Sequence, residues 1–215
     1  MKIYATDPAS ESPIATEIER QLSKHDLERT EFRREFPAPT EWAAFRIDIV
    51  PISEGRRVAI ECDGAEFHDE FRDELRDSLI LGSGVVDTIW RLPGADIHNH
   101  VHDCLCLIDH YDGFIFDQRT RAVLSSQASP PVRDHIPQCT ESILLAVDPE
   151  RLPSRGGFID LRRRTRTNAH CPPRQHWRHL YEFALKHRGI PFSELHSIRL
   201  AQQQGSKQDA PSNGG

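Results

Sequence analysis

Two stretches of the chain alternate between apolar and polar residues and are joined by a short polar segment. They are residues 45–50 (FRIDIV) and residues 57–68 (RVAIECDGAEFH). A period of two predicts β-strands that are half-buried, with the apolar side towards a core. Residues 53–56 (SEGR) predict the hairpin turn between them. The chain is therefore expected to contain an antiparallel β-hairpin with one apolar and one polar face.

The polar face of this predicted hairpin is acidic. Glu61 and Asp63 share one side of the second strand, and a turn centred between Glu54 and Gly55 places Asp48 opposite Glu61. Opposed Cβ atoms are about 5 Å apart, and two anions at that distance repel by roughly 3 kcal/mol at an effective dielectric constant near 20. One interpretation is a solvated face whose charges stay in water. The other is a divalent cation, because Mg²⁺ and Mn²⁺ take oxygen ligands.

Further helix and strand patterns flank the hairpin. Apolar residues recurring every four positions predict a helix over residues 12–25, and residues 32–36 form a short predicted strand. A helix is expected over residues 67–82, a strand over 85–92 and a helix over 96–110. The order helix, three strands, helix, strand, helix predicts an α/β fold.

The second half of the chain carries a weaker pattern. We expect one domain over residues 1–125, a linker and partly helical extension over 126–200, and a disordered tail over 201–215. Residues 177–187 predict one amphipathic helix within the extension. With 37% hydrophobic and 28% charged residues, the chain is long enough and apolar enough to bury a core.

Composition also narrows the classes of function. No apolar run has membrane-spanning length and no export signal follows Met1, so a cytoplasmic protein is expected. The five cysteines form no CxxC pair, which favours reduced thiols. A formal charge of −6 disfavours a surface coated in basic groups but allows a local basic groove. The candidate residues for nucleic-acid contact, which could equally form a solvated surface segment, are Arg162, Arg163, Arg164 and Arg166.

The acidic pattern resembles a known enzyme core. Asp48, followed thirteen positions later by Glu61-Cys62-Asp63 on a hairpin after a helix, resembles the PD-(D/E)XK nuclease core. Residues 60–68 (IECDGAEFH) resemble the IExDGxxxH stretch of the very-short-patch-repair-like branch of the restriction-endonuclease-like superfamily. Residues 73–77 (DELRD) also match that branch, and the resemblance covers about residues 10–110. It implies an αβββαβ core with a small mixed sheet flanked by helices.

The resemblance implies a metal-dependent endonuclease that hydrolyses phosphodiester bonds, with DNA as the expected substrate. The ion would be Mg²⁺ or Mn²⁺. Its implied ligands are Asp48, Glu61, the backbone carbonyl of Cys62 and a glutamate of the first helix. The resemblance favours Glu19 for that position, whereas helical geometry alone leaves Glu17 and Glu19 equivalent.

One departure from the superfamily pattern concerns positive charge. Asp63 stands where most members have lysine, although the repair-like branch commonly lacks that lysine too. The resemblance then implies that His68, with or without Asp63, removes the proton from the attacking water, and that Arg76 supplies the cation. The alternative for Arg76 is a surface ion pair with Asp73.

Three other interpretations remain open. A catalytically inactive nucleic-acid- or protein-binding module could keep the same fold. His98, His102 and Cys106 would share one helix face, which allows a structural zinc site. A hydrolase with Cys62 as nucleophile is the third, and it is disfavoured because the strand pattern points the thiol into the core. The sequence also leaves open whether two subunits pair as a homodimer.

Overall fold

The computed structural model describes residues 13–25, 30–64, 69–136, 141–148, 150, 156–166 and 176–208. Within these ranges the helices are α1 (Pro13–Leu22), α2 (Glu70–Gly82), α3 (Gly94–Tyr111), α4 (Gln118–Gln127), α5 (Pro130–Asp134), α6 (His176–Lys186) and α7 (Phe192–Gln208). The strands are β1 (Glu31–Pro39), β2 (Ala44–Ser53), β3 (Arg56–Asp63), β4 (Thr88–Pro93), β5 (Ser142–Ala146) and β6 (Phe158–Thr165).

The strands form one six-stranded mixed sheet in the order β1-β2-β3-β4-β6-β5. Strands β3 and β4 are parallel, and every other neighbouring pair is antiparallel. Helix α2 makes the crossover between the two parallel strands, as such a connection requires. The predicted α/β class is confirmed as a mixed sheet flanked by helices.

The predicted hairpin has the expected register. Ser53 pairs with Arg56 and Ile49 pairs with Ile60. The two turn residues, Glu54 and Gly55, have φ angles of +52° and +75°. Positive φ at both central positions suits the right-handed twist of the two strands, which explains the glycine. The turn therefore sets the register of the strands that carry Asp48 and Glu61.

Both faces of the central strand β3 are covered. Val58, Ile60 and Cys62 pack in a core that includes residues of α1 and α3. Ala59 packs in a second core that includes residues of α2 and α6. The expectation of a half-buried strand with an open polar face is wrong, because helix α2 lies over that face and leaves Glu61 only 5% exposed.

The chain beyond residue 125 contains two strands in addition to the helix expected there. Strands β5 and β6 join the same sheet, and β6 pairs with β4 from Thr88–Thr165 to Arg91–Arg162. The arginine run masked the strand pattern, in which Ile159 and Leu161 are the buried apolar residues. The expected helix of residues 177–187 is α6, and α7 extends to Gln208 within the tail expected to be disordered.

Among the residues that the structure describes, no helix combines the length and the apolar character needed to cross a bilayer.

Candidate functional site

Asp48 binds the main chain of the neighbouring strand. Its Oδ2 atom accepts a hydrogen bond of 2.8 Å from the backbone N–H of Cys62. This contact lies beyond the Ile49–Ile60 pair of the hairpin. It places the Asp48 carboxylate beside the peptide that joins Glu61 to Cys62, at the end of the hairpin away from its turn.

The backbone opposite Asp48 is irregular. On strand β1, Arg34 pairs with Ile49 and Phe36 pairs with Ile47, and Glu35 lies between them with φ of +46°. A left-handed backbone at a residue other than glycine is strained and persists only where its surroundings enforce it. An ion pair between Glu35 and Arg46 spans the two strands at this point. The distortion of β1 therefore lies opposite Asp48, whose side chain reaches across to β3.

Glu61 is a buried carboxyl group. Burial raises its pKa to about 7, Arg76 opposes that rise, and the nearby charge of Asp48 adds to it. The contribution from Asp48 is consistent with two acidic groups close enough to interact. The interpretation in which these charges simply stay in water is therefore wrong for Glu61.

Arg76 connects helix α2 to this acidic pair. Its Nη2 atom donates to Glu61 Oε1 at 2.7 Å and to the carbonyl oxygen of Arg46 at 2.6 Å. The alternative of a surface pair with Asp73 is wrong, because the guanidinium points towards the sheet. The cation expected from the sequence is thus in direct contact with the predicted glutamate.

Asp63 lies at the edge of a buried ionic network. Arg91 of β4 donates to Asp63 at 2.8 Å and binds Asp77 of α2 through two hydrogen bonds of 2.8 Å. Arg164 of β6 also binds Asp77 and reaches Glu74 at 3.3 Å. Burial disfavours the ionised form of Asp77, but the two arginines outweigh it and lower the pKa of this carboxyl group.

The sequence interpretation did not identify Arg91 and Asp77 as members of this network. Arg91 stands between Trp90 and Leu92 in an otherwise apolar strand, and all three residues are buried. A charged side chain at such a position needs a buried partner of opposite charge. An arginine within an apolar strand is the signal that the sequence offers, although it does not identify Asp77 as the partner.

A cleft of about 550 Å³ opens beside this network. It lies at the carboxyl ends of the parallel strands β3 and β4, where ligands commonly bind in α/β sheets. Its lining includes Asp63, Gly64, Arg91, Gly94 and Arg162. Residues 65–68, which include the predicted base His68, follow Gly64 and lie outside the described residues. Gly64, the last described residue before that segment, lines the cleft.

The two candidate glutamates of α1 have separate partners. Glu19 forms an ion pair with Arg34 of β1. Glu17 binds Arg20, which lowers the pKa of its carboxyl group to about 2. Among the described residues, no group of three or more histidine, cysteine, aspartate or glutamate side chains is arranged to hold a metal. Asp48 and Glu61 are thus not accompanied by a third such side chain among the described residues.

Two arginines of the predicted basic cluster bind acidic residues inside the protein. Arg163 binds the fully buried Asp112 at 3.0 Å, and Arg164 belongs to the ionic network. Arg162 pairs with Glu70 at the surface, at 2.6 Å. The structure therefore does not present these arginines as a continuous solvated segment.

Burial of the cysteines bears on both the zinc and the thiol alternative. On α3, His98 is exposed, whereas Cys106 is only 9% exposed and packs in the core. Burial raises the pKa of the Cys106 thiol to about 11. Burial also raises the pKa of the Cys62 thiol, and this side chain lies with Val58 and Ile60 in the core. A buried thiol with a raised pKa is a poor nucleophile.

In comparisons with known proteins, no protein-family model, no curated protein and no solved structure matches the chain. The contacts of Asp48, Glu61 and Arg76 are accordingly the observations that bear most directly on function.

Proposed function

We propose that the chain is a divalent-metal-dependent endonuclease that hydrolyses phosphodiester bonds in DNA. The observation that carries this proposal is the contact of Asp48 with the Cys62 amide, which holds one carboxylate beside the buried Glu61. Two acidic groups on neighbouring strands destabilise the metal-free protein through repulsion and desolvation. A bound cation would offset both costs.

The residues present suit a hard divalent ion. Mg²⁺ prefers oxygen ligands and commonly binds one or two carboxylates, with water and substrate phosphate completing its shell. Asp48, Glu61 and the carbonyl oxygen of Cys62 would hold it, and Glu19 is the candidate further ligand if its pairing with Arg34 exchanges. When bound, the ion would neutralise phosphate charge and make a water molecule more acidic.

The remaining catalytic and positioning roles would fall to groups of the protein itself. The Cys62 amide orients Asp48, and Arg76 favours the ionised form of Glu61 against burial. Arg76 also brings the positive charge that the lysine supplies in most members of the superfamily. Asp63 is held by Arg91, which makes it a positioning group at the edge of the cleft. His68 remains the predicted base for the attacking water.

A second candidate is a nucleic-acid- or protein-binding module without catalytic activity. The ion pair between Arg76 and Glu61 favours it, because the guanidinium already neutralises the buried carboxylate. Such a module has no need for a divalent ion at Asp48. Metal-dependent cleavage therefore separates the two candidates.

The test is cleavage of labelled single-stranded, duplex and branched DNA, and of matched RNA, with Mn²⁺ or with chelator. We expect Mn²⁺-dependent cutting that Asp48→Asn lowers by at least about a hundredfold, a typical loss for a catalytic electrostatic contact. The asparagine oxygen can still accept from the Cys62 amide, so the fold is retained. Asp134→Asn, at an exposed position in α5, is the matched control and should cut like the wild type. Equal cutting by Asp48→Asn contradicts the proposal.

A further inference from the structure

A second cleft lies on another part of the protein. It has a volume of about 480 Å³ and is formed by residues at and just after the end of α1, in the middle of α3 and along α4. The charged and titratable side chains that line it are Lys24, His25, His102, Asp117 and Arg119. None of them belongs to the acidic pair or to the ionic network described above.

The described residues that line this cleft have a charge opposite to that of the chain as a whole. Among them Lys24 and Arg119 are cations, and Asp117 is the one acidic residue. The Asp117 carboxylate caps α4 by accepting from the Thr120 amide at 2.7 Å. The described lining residues therefore sum to a net charge of +1 with neutral histidines and +3 when both are protonated. In a chain of net charge −6, such a concave surface concentrates positive potential.

The two histidines add hydrogen-bonding capacity to these charges. His102 lies on α3, and its Nδ1 atom is buried without a hydrogen-bond partner. Burial, followed by the proximity of His102, lowers the pKa of His25, whereas Asp117 opposes this effect and Lys24 adds to it. A buried ring nitrogen without a partner is costly, and imidazole rings in the lining can offer N–H donors to an anion in the cleft.

We propose that this cleft between α1, α3 and α4 binds a phosphate group through Lys24, Arg119, His25 and His102. A tetrahedral anion presents several acceptor oxygens at once, which suits donors arriving from three elements. The site goes beyond the proposed nuclease centre and does not depend on it. The phosphate can be a terminal monoester or a diester of a nucleic-acid backbone, since the shared chemistry is the charged oxygen atoms.

The experiment is an NMR titration of the histidine ring signals, assigned with His25→Gln and His102→Gln. Sulfate is the first probe, because its charge stays constant across the pH range in which histidine titrates. We expect saturable shifts of both ring signals as sulfate is added. Lys24→Ala/Arg119→Ala should weaken binding by at least about tenfold, as the loss of charge-assisted hydrogen bonds implies.

The matched control is Arg20→Ala/Arg121→Ala. It removes one cation from α1 and one near the start of α4, but these side chains pair with Glu17 and Asp109 outside the cleft. Its affinity for sulfate should equal that of the wild type. Thymidine 5′-monophosphate and an unphosphorylated thymidine oligonucleotide then distinguish a terminal phosphate from a backbone diester. Absence of saturable shifts with all three probes, or equal weakening in both double variants, overturns the proposal.

Discussion

Arg76 and Glu61 form an ion pair between helix α2 and strand β3, with 2.7 Å between Nη2 and Oε1. The pair is partly buried, with the two side chains 18% and 7% exposed. Burial still raises the pKa of Glu61 to about 7, although the arginine acts in the opposite direction. Glu61 is therefore expected to change its charge near neutral pH, which makes the centre of the candidate site sensitive to pH.

The first prediction concerns stability against pH. The unfolded glutamate titrates near 4.5 and the folded one at a pKa of about 7, so the folded state binds the extra proton between these values. The contribution of Glu61 to stability is greatest below about pH 4.5 and falls as pH rises through 7. The full change is roughly 3 kcal/mol. Urea unfolding of wild type and Glu61→Gln at several pH values measures it.

Glu61→Gln removes this titration while keeping the size of the side chain. Relative to the wild type, the variant should gain stability as the pH rises from 5 to 8. A difference between the two proteins that stays constant over this range contradicts the raised pKa.

The second prediction concerns Arg76 and separates its effect on metal binding from its effect on DNA cleavage. Under the proposed function, Arg76→Met removes the cation that competes with a metal ion for Glu61. We expect the variant to retain Mn²⁺-induced thermal stabilisation at about pH 8 and to lose cleavage by at least about tenfold. Thermal unfolding with and without Mn²⁺, together with a cleavage assay, measures both effects. Loss of both properties would indicate that Arg76 builds the site instead.

The third prediction tests the buried ionic network. Asp77→Ala leaves Arg91 and Arg164 without their shared carboxylate partner, and breaking a buried pair costs about 3–5 kcal/mol. Glu70→Ala on the same helix removes an exposed partner of Arg162 and should cost less than about 1 kcal/mol. Chemical unfolding provides both free energies. Equal losses would show that the network contributes nothing beyond surface pairing.

The fourth prediction concerns Cys62. Its thiol packs in the core while its backbone amide holds Asp48, so the side chain has no direct part in the proposed chemistry. Cys62→Ala should keep metal-dependent cleavage within about twofold and lose about 1 kcal/mol of stability. Complete loss of cleavage in a folded variant would support the thiol as nucleophile.

The hairpin could be predicted from the sequence because its determinants are local. Alternation identifies the two strands, and the turn at Glu54 and Gly55 fixes which residues face each other. The proximity of Asp48 to Glu61 follows from that register. The choice between Glu17 and Glu19 on α1 could not be made in the same way, because Glu17 pairs locally with Arg20 whereas Glu19 pairs with Arg34 of β1, a contact that only the fold provides.

The rest of the site depends on contacts between distant parts of the chain. Helix α2 covers the face that the alternation indicated as open, and this burial raises the pKa of Glu61. Strand β6 pairs with β4 across about seventy residues, so that Arg164 reaches Asp77. A run of arginines suggests solvent exposure when only neighbouring residues are considered. Pairing with the buried Asp112 and Asp77 is what places Arg163 and Arg164 inside.

Binding of Mn²⁺ by the acidic pair is the most direct test of the proposed centre. Electron paramagnetic resonance of free Mn²⁺ at about pH 8, where Glu61 is ionised, measures the affinity without any substrate. We expect one site in the wild type, weakened by at least about tenfold in Asp48→Asn and in Glu61→Gln, and unchanged in Asp134→Asn. No binding by the wild type, or equal affinity in all four proteins, would contradict a metal centre at Asp48 and Glu61.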